Sequence, residues 1–422
     1  MAVLMSLAVL GTVAIIAYVL ASQGFFSSLL HLACVITAGA MAFALWEPCV
    51  YLIAPRINSP ALIDLLWGTI LIVLFAIFLA LLRTATDKLC FANTDLSHTQ
   101  NLVGGGIAGI LSGVLTAGVL LIGLQFIQGP AKIIGYSGWV VDQGGVINKA
   151  GGAEGQLWAP VDEWTSWYYS NASLGSMAVY EPLANWYPDL AQQASMYRAS
   201  YENGASRMGM RPSALKVNDI IRFVPTDMQQ FLSSLTGIDR DRQLASNGTG
   251  EVYSISISVE QGAWDGGSKL RLTKAQSRLV VEMPGGRMVP IHPHAFVQRY
   301  ESNTTNQGRW PYDAGDICAI SIGSAATQGI WLEFLVPAGA TLHHLIVRNA
   351  RVELNNFQVQ TMTSEAAALA AIGNLVDVGA DPAPNPGSID KPPHWKGIVV
   401  MFLLYAVTML ISLRPAKRSH QD

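Results

Sequence analysis

Apolar residues along the chain gather into five long stretches that charged residues hardly interrupt. Each has about 17–26 residues, and a helix of that length, at about 1.5 Å per residue, crosses the roughly 30 Å hydrocarbon core of a bilayer. Four stretches fall within the first 127 residues and the fifth lies near the end: 1–20, 26–46, 62–82, 102–127 and 397–413. The pattern predicts a membrane α-helical unit with four N-terminal transmembrane helices plus one C-terminal helix.

The first stretch has a second interpretation as a cleaved signal peptide, because Val19-Leu20-Ala21 resembles a peptidase site. A signal peptide begins with a basic segment, and residues 1–5 carry no basic side chain. The sequence therefore favours a retained helix.

Small residues recur every four positions in the fourth stretch: Gly105, Gly109, Gly113 and Ala117. Residues at this spacing lie along one side of a helix, and a side without bulk lets two helices approach closely in lipid. We predict that these residues form a helix-packing face, within the helical unit or between copies of the chain. Leu115 and Leu120 lie on other faces and are candidates for lipid contact.

A few ionisable residues lie within or beside the apolar stretches, where burial of such groups is costly. His31 is the intramembrane polar residue of the second stretch. A structural hydrogen bond to Ser or Thr on another helix is the favoured interpretation, and a proton path is the alternative. Asp64 and Arg83 lie at the ends of the third stretch, and we expect their charged groups to extend towards water.

Residues 128–395 contain no comparable apolar stretch and form one insert between the fourth and fifth helices. The first part, 128–250, is rich in aromatic and turn residues. A helix is expected after Pro160, with Trp164, Trp167 and Tyr168 on one face. Further short helices are expected near 189–200 and 227–235. This part is predicted to be mainly helical or irregular.

From residue 251 apolar and polar residues alternate, as they do in half-buried strands. The predicted strands are 252–259, 270–274, 278–282, 295–300, 317–322, 330–336 and 342–354. Short strands separated by turns predict an antiparallel β-sandwich over 251–360, which makes the insert an α+β domain. A short helix and a Pro-rich linker over 361–395 lead to the last helix, 396–413, and to a tail, 414–422.

The positions of the basic residues predict the orientation, since Lys and Arg concentrate in cytoplasmic loops. Arg83 and Lys88 follow the third stretch, and the tail carries three more: Arg414, Lys417 and Arg418. We therefore expect a cytoplasmic C-terminus, an extracytoplasmic insert and an extracytoplasmic N-terminus. Net charge is −3 with no basic run, which argues against a nucleic-acid partner.

The candidate chemical groups of the insert are few. Its single cysteine, Cys318, gives no disulfide within the insert, and we expect it to lie in a buried strand. The histidines at 292, 294, 343 and 344 do not have the spacing of a metal site. HExxH, CxxC, Walker and GxSxG patterns do not occur. We expect a protein that is not an enzyme and needs neither metal nor cofactor.

Two features of the first 127 residues carry a family resemblance. Gly24-Phe25 opens the second helix, and the fourth begins with the ladder Gly105, Gly109 and Gly113. In both respects this part resembles the CvpA family, the colicin V production proteins of the bacterial inner membrane. The basic residue usual after Gly-Phe and the Asp-Arg usual before the ladder are missing. The resemblance implies a role in toxin or peptide export or in envelope homeostasis, and no catalytic residues.

Two functions follow from these observations. The favoured one is a non-enzymatic inner-membrane scaffold or envelope protein, a homo-oligomer or a subunit of a membrane complex, whose insert binds an envelope partner of unknown identity. The alternative is a subunit of a membrane channel or transporter. A pore would need a continuous polar face, and Ser112, Thr116 and Gln125 in the fourth helix do not form one.

Overall fold

A computed structural model of the chain describes residues 2–90, 96–127, 129–130, 132–141, 147–149, 155–175, 177, 182–202, 207, 209–228, 231, 250–260, 263, 269–299, 307–312, 317–321, 327–375 and 395–413. Its helices are α1 (Ala2–Gln23), α2 (Phe25–Ile53), α3 (Pro60–Leu89), α4 (His98–Gln125), α5 (Val161–Ser173), α6 (Leu183–Trp186), α7 (Leu190–Glu202), α8 (Glu365–Leu375) and α9 (Trp395–Ser412). Helices α1 to α4 are each long and apolar enough to cross a membrane, by length and composition.

Local sequence explains where the long helices begin and end. Gly24, at φ 89°, adopts a left-handed conformation that ends α1 and lets α2 begin at once. Pro60 occupies the first turn of α3, where its missing N–H leaves no hydrogen bond unmade. The Ser97 hydroxyl accepts from the Gln100 N–H, and the Gln100 side chain accepts from the Ser97 N–H, which caps the start of α4.

The shorter apolar helix α9 packs between α1 and α3. Thr12 and Tyr405 share a hydroxyl–hydroxyl hydrogen bond of 2.6 Å. Ile16 and Leu20 of α1 contact Met409 of α9. The C-terminal helix therefore joins the four N-terminal helices in one helical unit.

The described residues between 132 and 375 form the α/β region, which contains fourteen strands. They are β1 (Trp139–Val141), β2 (Ile147–Lys149), β3 (Leu215–Phe223), β4 (Gly250–Glu260), β5 (Lys269–Thr273), β6 (Ser277–Glu282), β7 (Met288–Ile291), β8 (Ala295–Arg299), β9 (Gln307–Pro311), β10 (Ile317–Ser321), β11 (Thr327–Pro337), β12 (Thr341–Val347), β13 (Ala350–Glu353) and β14 (Val359–Met362). One sheet has the order β14-β3-β4-β11-β8-β9 and another β13-β12-β6-β7, while β10-β5 and β1-β2 are separate pairs.

The two larger sheets face each other across a common core, to which the six-stranded sheet contributes Ile255 and Leu332 and the four-stranded sheet Leu279 and Leu345. Among the strand pairs of the described residues, all are antiparallel except β14 and β3, which run parallel. On its other face the six-stranded sheet is covered by α8, through Ala368. The four-stranded sheet turns its other face towards the helical unit, where Ile346 joins the core of α2 and α3.

The predicted fold class is confirmed: four long apolar helices, a shorter apolar C-terminal helix and a mixed α/β region with two sheets. The expected helices after 160, near 189–200 and near 363–374 correspond to α5, α7 and α8. Most of the helix expected near 227–235, most of the Pro-rich linker and the tail lie outside the described residues.

Candidate functional site

The small residues of α4 face the backbone of α1. A β-carbon at Gly105 would lie 3.1 Å from the Ala21 α-carbon, and one at Gly109 would lie 2.7 Å from the Ala17 α-carbon. Gly113 continues the contact, with 3.0 Å to the Val13 α-carbon. Side chains at these positions would force the two helices apart. The close approach is thus between two helices of the same chain.

Ala117 is buried on the side of α4 that faces α1, in a cluster with Met5 and Val9 of α1. Leu115 and Leu120 are also buried, and their expected contact with lipid is wrong. The physical reason is that α2, α3 and α5 cover the sides of α4 that α1 leaves free. The exposed apolar residues of α4 lie nearer its start: Leu102, Val103, Ile107, Ile110 and Leu111.

His31 is buried in α2 close enough to Arg83 of α3 to interact with its charge. Arg83 is itself buried, which contradicts the expectation that it reaches towards water. Its guanidinium donates to Gln23 Oε1 at 3.0 Å and to Ser27 Oγ at 3.2 Å, and it forms an ion pair with Asp87 at 3.3 Å. Arg83 therefore connects α3 by hydrogen bonds to the end of α1 and the start of α2.

Helix α5 lies against both α2 and α4. The Tyr169 hydroxyl donates to the Val35 carbonyl at 3.2 Å, and the tyrosine ring fills the space beside Gly39, where a β-carbon would overlap it. On α4, a β-carbon at Gly118 would overlap Thr165 and the Val161 carbonyl. Gly39 of α2 and Gly118 of α4 thus leave the space that side chains of α5 occupy.

A buried polar cluster joins the end of α4 to the start of α5. Asp162 Oδ2 accepts from Gln125 Nε2 at 3.1 Å and from the Tyr136 hydroxyl. Ser195 of α7 donates to Gln125 Oε1 at 3.1 Å. The cluster satisfies polar groups that burial would otherwise penalise, so it fixes the relative position of the three helices.

A buried ion pair connects α2 to the four-stranded sheet. Arg351 Nε of β13 donates to Glu47 Oε1 at 2.9 Å, and both side chains are buried. The guanidinium carbon lies 3.7 Å from the ring centroid of Trp186, a cation–π contact. Beside it, His344 Nε2 lies 3.1 Å from the Trp186 carbonyl oxygen.

A second buried ion pair connects α3 to the segment before β3. Arg207 Nε lies 3.3 Å from Asp64 Oδ2, and the Gly209 N–H donates to Asp64 Oδ1 at 2.9 Å. Gln276 in turn donates to the Arg207 carbonyl at 2.8 Å. Asp64 therefore does not extend towards water as expected, because the α/β region supplies its partners.

The histidines of the α/β region occupy separate structural sites. His292 Nδ1 lies 3.1 Å from the Ser277 carbonyl oxygen, and His294 Nε2 lies 3.6 Å from Glu333 Oε2. His343 and His344 contact each other through their Nδ1 atoms at 2.7 Å. Within the described part of the chain, no three His, Cys, Asp or Glu side chains come together in a way that could hold a metal ion.

Comparison with known families, curated proteins and solved structures finds no match to this chain. The site must therefore be interpreted from its own geometry. Its polar groups are paired with one another across the contact between helices and sheets, and their arrangement is suited to holding the two parts in one orientation.

Sequence reasoning missed most of this contact, although part of the signal was present. Glu47 and Asp64 are acidic residues in or beside apolar stretches, which is a sign of a buried partner. The partners lie 304 and 143 residues further along the chain, in segments with no distinguishing motif. Only the folded chain brings Arg351 and Arg207 to them.

Proposed function

We propose that this protein is a non-enzymatic scaffold of the bacterial inner membrane, of the CvpA-like type. In this proposal α1 to α4 and α9 cross the membrane, the α/β region lies on the extracytoplasmic side, and the C-terminal tail is cytoplasmic. The α/β region presents a fixed binding surface to an envelope partner, and the helical unit anchors that surface to the membrane. A role beside an exporter or in envelope homeostasis belongs to the same proposal.

The observation that carries the proposal is the pair of buried ionic contacts between helices and sheets. Glu47–Arg351 and Asp64–Arg207 have both partners buried, and removing one member of such a pair costs about 3–5 kcal/mol. The two contacts start from different helices, so they resist both rotation and separation of the α/β region. This rigid attachment favours a display scaffold over a domain that swings on a linker.

The CvpA-like part of the proposal rests on the packing of the residues that carry the resemblance. The Phe25 N–H donates to Asn101 Oδ1 at 3.3 Å, so the Gly24–Phe25 corner contacts the start of α4. A β-carbon at Gly104 would lie 2.6 Å from the Phe25 ring. The Gly-Phe corner and the glycine ladder thus belong to one contact between α1, α2 and α4.

The alternative, a channel or transporter subunit, is separated by a flux measurement. Sealed vesicles that contain the purified protein should retain a trapped potassium gradient and a small dye as well as vesicles without the protein do. In parallel, a photo-crosslinking amino acid at exposed Thr361 should give discrete protein adducts in cells, and one at exposed Phe402 of α9 should not. Potassium or dye loss that depends on the protein would overturn the scaffold in favour of a pore.

A further inference from the structure

The second half of α4 is covered on every side by protein. From Ser112 to Gln125 every residue but Val114 is buried, and 78 % of the apolar window of α4 is buried against 39–44 % for α1 to α3. Its exposed apolar residues end at Leu111, about one turn before Val114, whose carbonyl accepts from Thr165 of α5. Helix α5 therefore takes the place that lipid would have beside a spanning helix.

The contacts of α5 place it deep along the long helices. Thr165 Oγ1 donates to the Val114 carbonyl at 3.5 Å, and Val114 lies eleven residues before the end of α4, about 16 Å along the axis. Tyr169 packs beside Gly39, the middle residue of the 29-residue α2. Measured from the end of α4, this distance is about half the thickness of a hydrocarbon core of roughly 30 Å.

Helix α5 buries several polar side chains and exposes two large aromatic ones. Its buried residues include the polar side chains of Asp162, Thr165 and Ser166 besides those of Val161 and Tyr169. The opposite face exposes Trp164 and Trp167, at 49 % and 69 % of their surface, together with Asn171. A helix that buries polar residues and exposes large apolar ones fits lipid surroundings.

The remaining charge at the side of α5 is compensated. Glu163 forms an ion pair with Lys149 Nζ at 2.6 Å, and this ammonium lies 5.6 Å from the ring centroid of Trp139. Pairing of the two charges lowers the cost of placing them beside lipid.

We propose that α5 is a re-entrant helix. It enters the membrane from the side on which the rest of the α/β region lies, packs against α2 and α4 down to mid-bilayer depth, and turns its Trp164–Trp167 face to the acyl chains of that leaflet. This inference rests on the proposed spanning of α1 to α4. It adds a lipid-binding surface that belongs to the insert rather than to the spanning helices.

The test is site-directed spin labelling of the full-length protein in lipid nanodiscs. Nitroxides are attached singly at Trp167→Cys, and at Trp164→Cys as a second position, in a background without the four native cysteines. Matched controls are Ile110→Cys on the exposed face of α4 and Thr361→Cys on exposed β14. Relaxation by oxygen, which concentrates in lipid, is compared with relaxation by a water-soluble nickel chelate.

The Trp167 and Trp164 labels should show an oxygen-to-nickel ratio several-fold above that of Thr361 and of the same order as that of Ile110. A ratio equal to that of Thr361, with a lipid-like ratio at Ile110, would overturn the re-entrant helix and leave the spanning helices intact. A water-like ratio at Ile110 as well would overturn both, because α4 itself would then not cross the bilayer.

Discussion

Gly109 of α4 and Ala17 of α1 meet backbone to backbone. A β-carbon at position 109 would lie 2.7 Å from the Ala17 α-carbon and 3.1 Å from the Ala17 carbonyl oxygen. Because the obstructing atoms are main-chain atoms, rotation of a side chain cannot make room. The helices would have to separate along the whole contact from Gly105 to Gly113.

Replacing Gly109 with Ile should therefore lower the free energy of unfolding by about 1–3 kcal/mol, the usual cost of overpacking. The matched control is Leu111→Ile, two residues away on the exposed face of α4, which should cost much less. The comparison is made by thermal unfolding of the purified protein in mild detergent. Equal losses for the two variants would show that the α1–α4 contact has no special role.

The Glu47–Arg351 pair should couple strongly in a double-mutant cycle. Glu47→Gln and Arg351→Met should each cost about 3–5 kcal/mol, since each leaves a buried polar or charged partner behind. The double variant should cost clearly less than the sum. At the exposed pair Lys216–Glu260, Glu260→Gln should cost at most about 1 kcal/mol. Strict additivity at Glu47 and Arg351 would contradict a coupled contact.

Stability should fall in mild acid because of His344. Burial, then the neighbouring charges of Arg351 and His343, holds the pKa of His344 well below its usual value. The unfolded chain takes up a proton near pH 6.5 and the folded chain does not, so the free energy of unfolding is level above about pH 7.5 and decreases below about pH 6.5.

The thermal midpoint should accordingly be lower at pH 5.5 than at pH 7.5, and His344→Gln should reduce this difference. His98→Gln changes an exposed histidine at the start of α4 and should leave the difference unchanged. An unchanged pH dependence in His344→Gln would show that another group is responsible.

Chelation and reduction should leave the fold unaffected. His292 interacts with the Ser277 carbonyl, and His294 lies beside the Glu333 carboxylate. The purified full-length chain should keep its thermal midpoint in the presence of a strong chelator and of a reductant. A decrease of several degrees with chelator alone would indicate a metal ion bound at these histidines.

The sequence predicts the elements of this fold better than it predicts their contacts. The apolar stretch 102–127 corresponds to α4 (His98–Gln125), and the alternating segment 252–259 to β4 (Gly250–Glu260). These elements carry their own periodicity, so a local pattern is sufficient to place them. The parallel pairing of β14 with β3 joins residues more than 130 positions apart and has no local signal.

Helix α5 shows why the candidate site was harder to predict. Its helical start after Pro160 is visible in the sequence, but Asp162, Thr165 and Ser166 make the segment too polar to be taken for part of a membrane unit. These three residues are buried in the folded chain, and only the folded chain shows which face of the helix is covered. Hydropathy averaged over a window removes that information.

The orientation of the α/β region is the central claim, and labelling of single cysteines by a membrane-impermeant maleimide tests it most directly. The first variant carries Thr361→Cys in a chain without native cysteines, and the second keeps only Cys90, which is exposed beyond the end of α3. In intact spheroplasts Thr361→Cys should react and Cys90 should not, whereas both should react after permeabilisation. Reaction of Cys90 but not of Thr361→Cys in intact spheroplasts would place the α/β region in the cytoplasm and contradict the account.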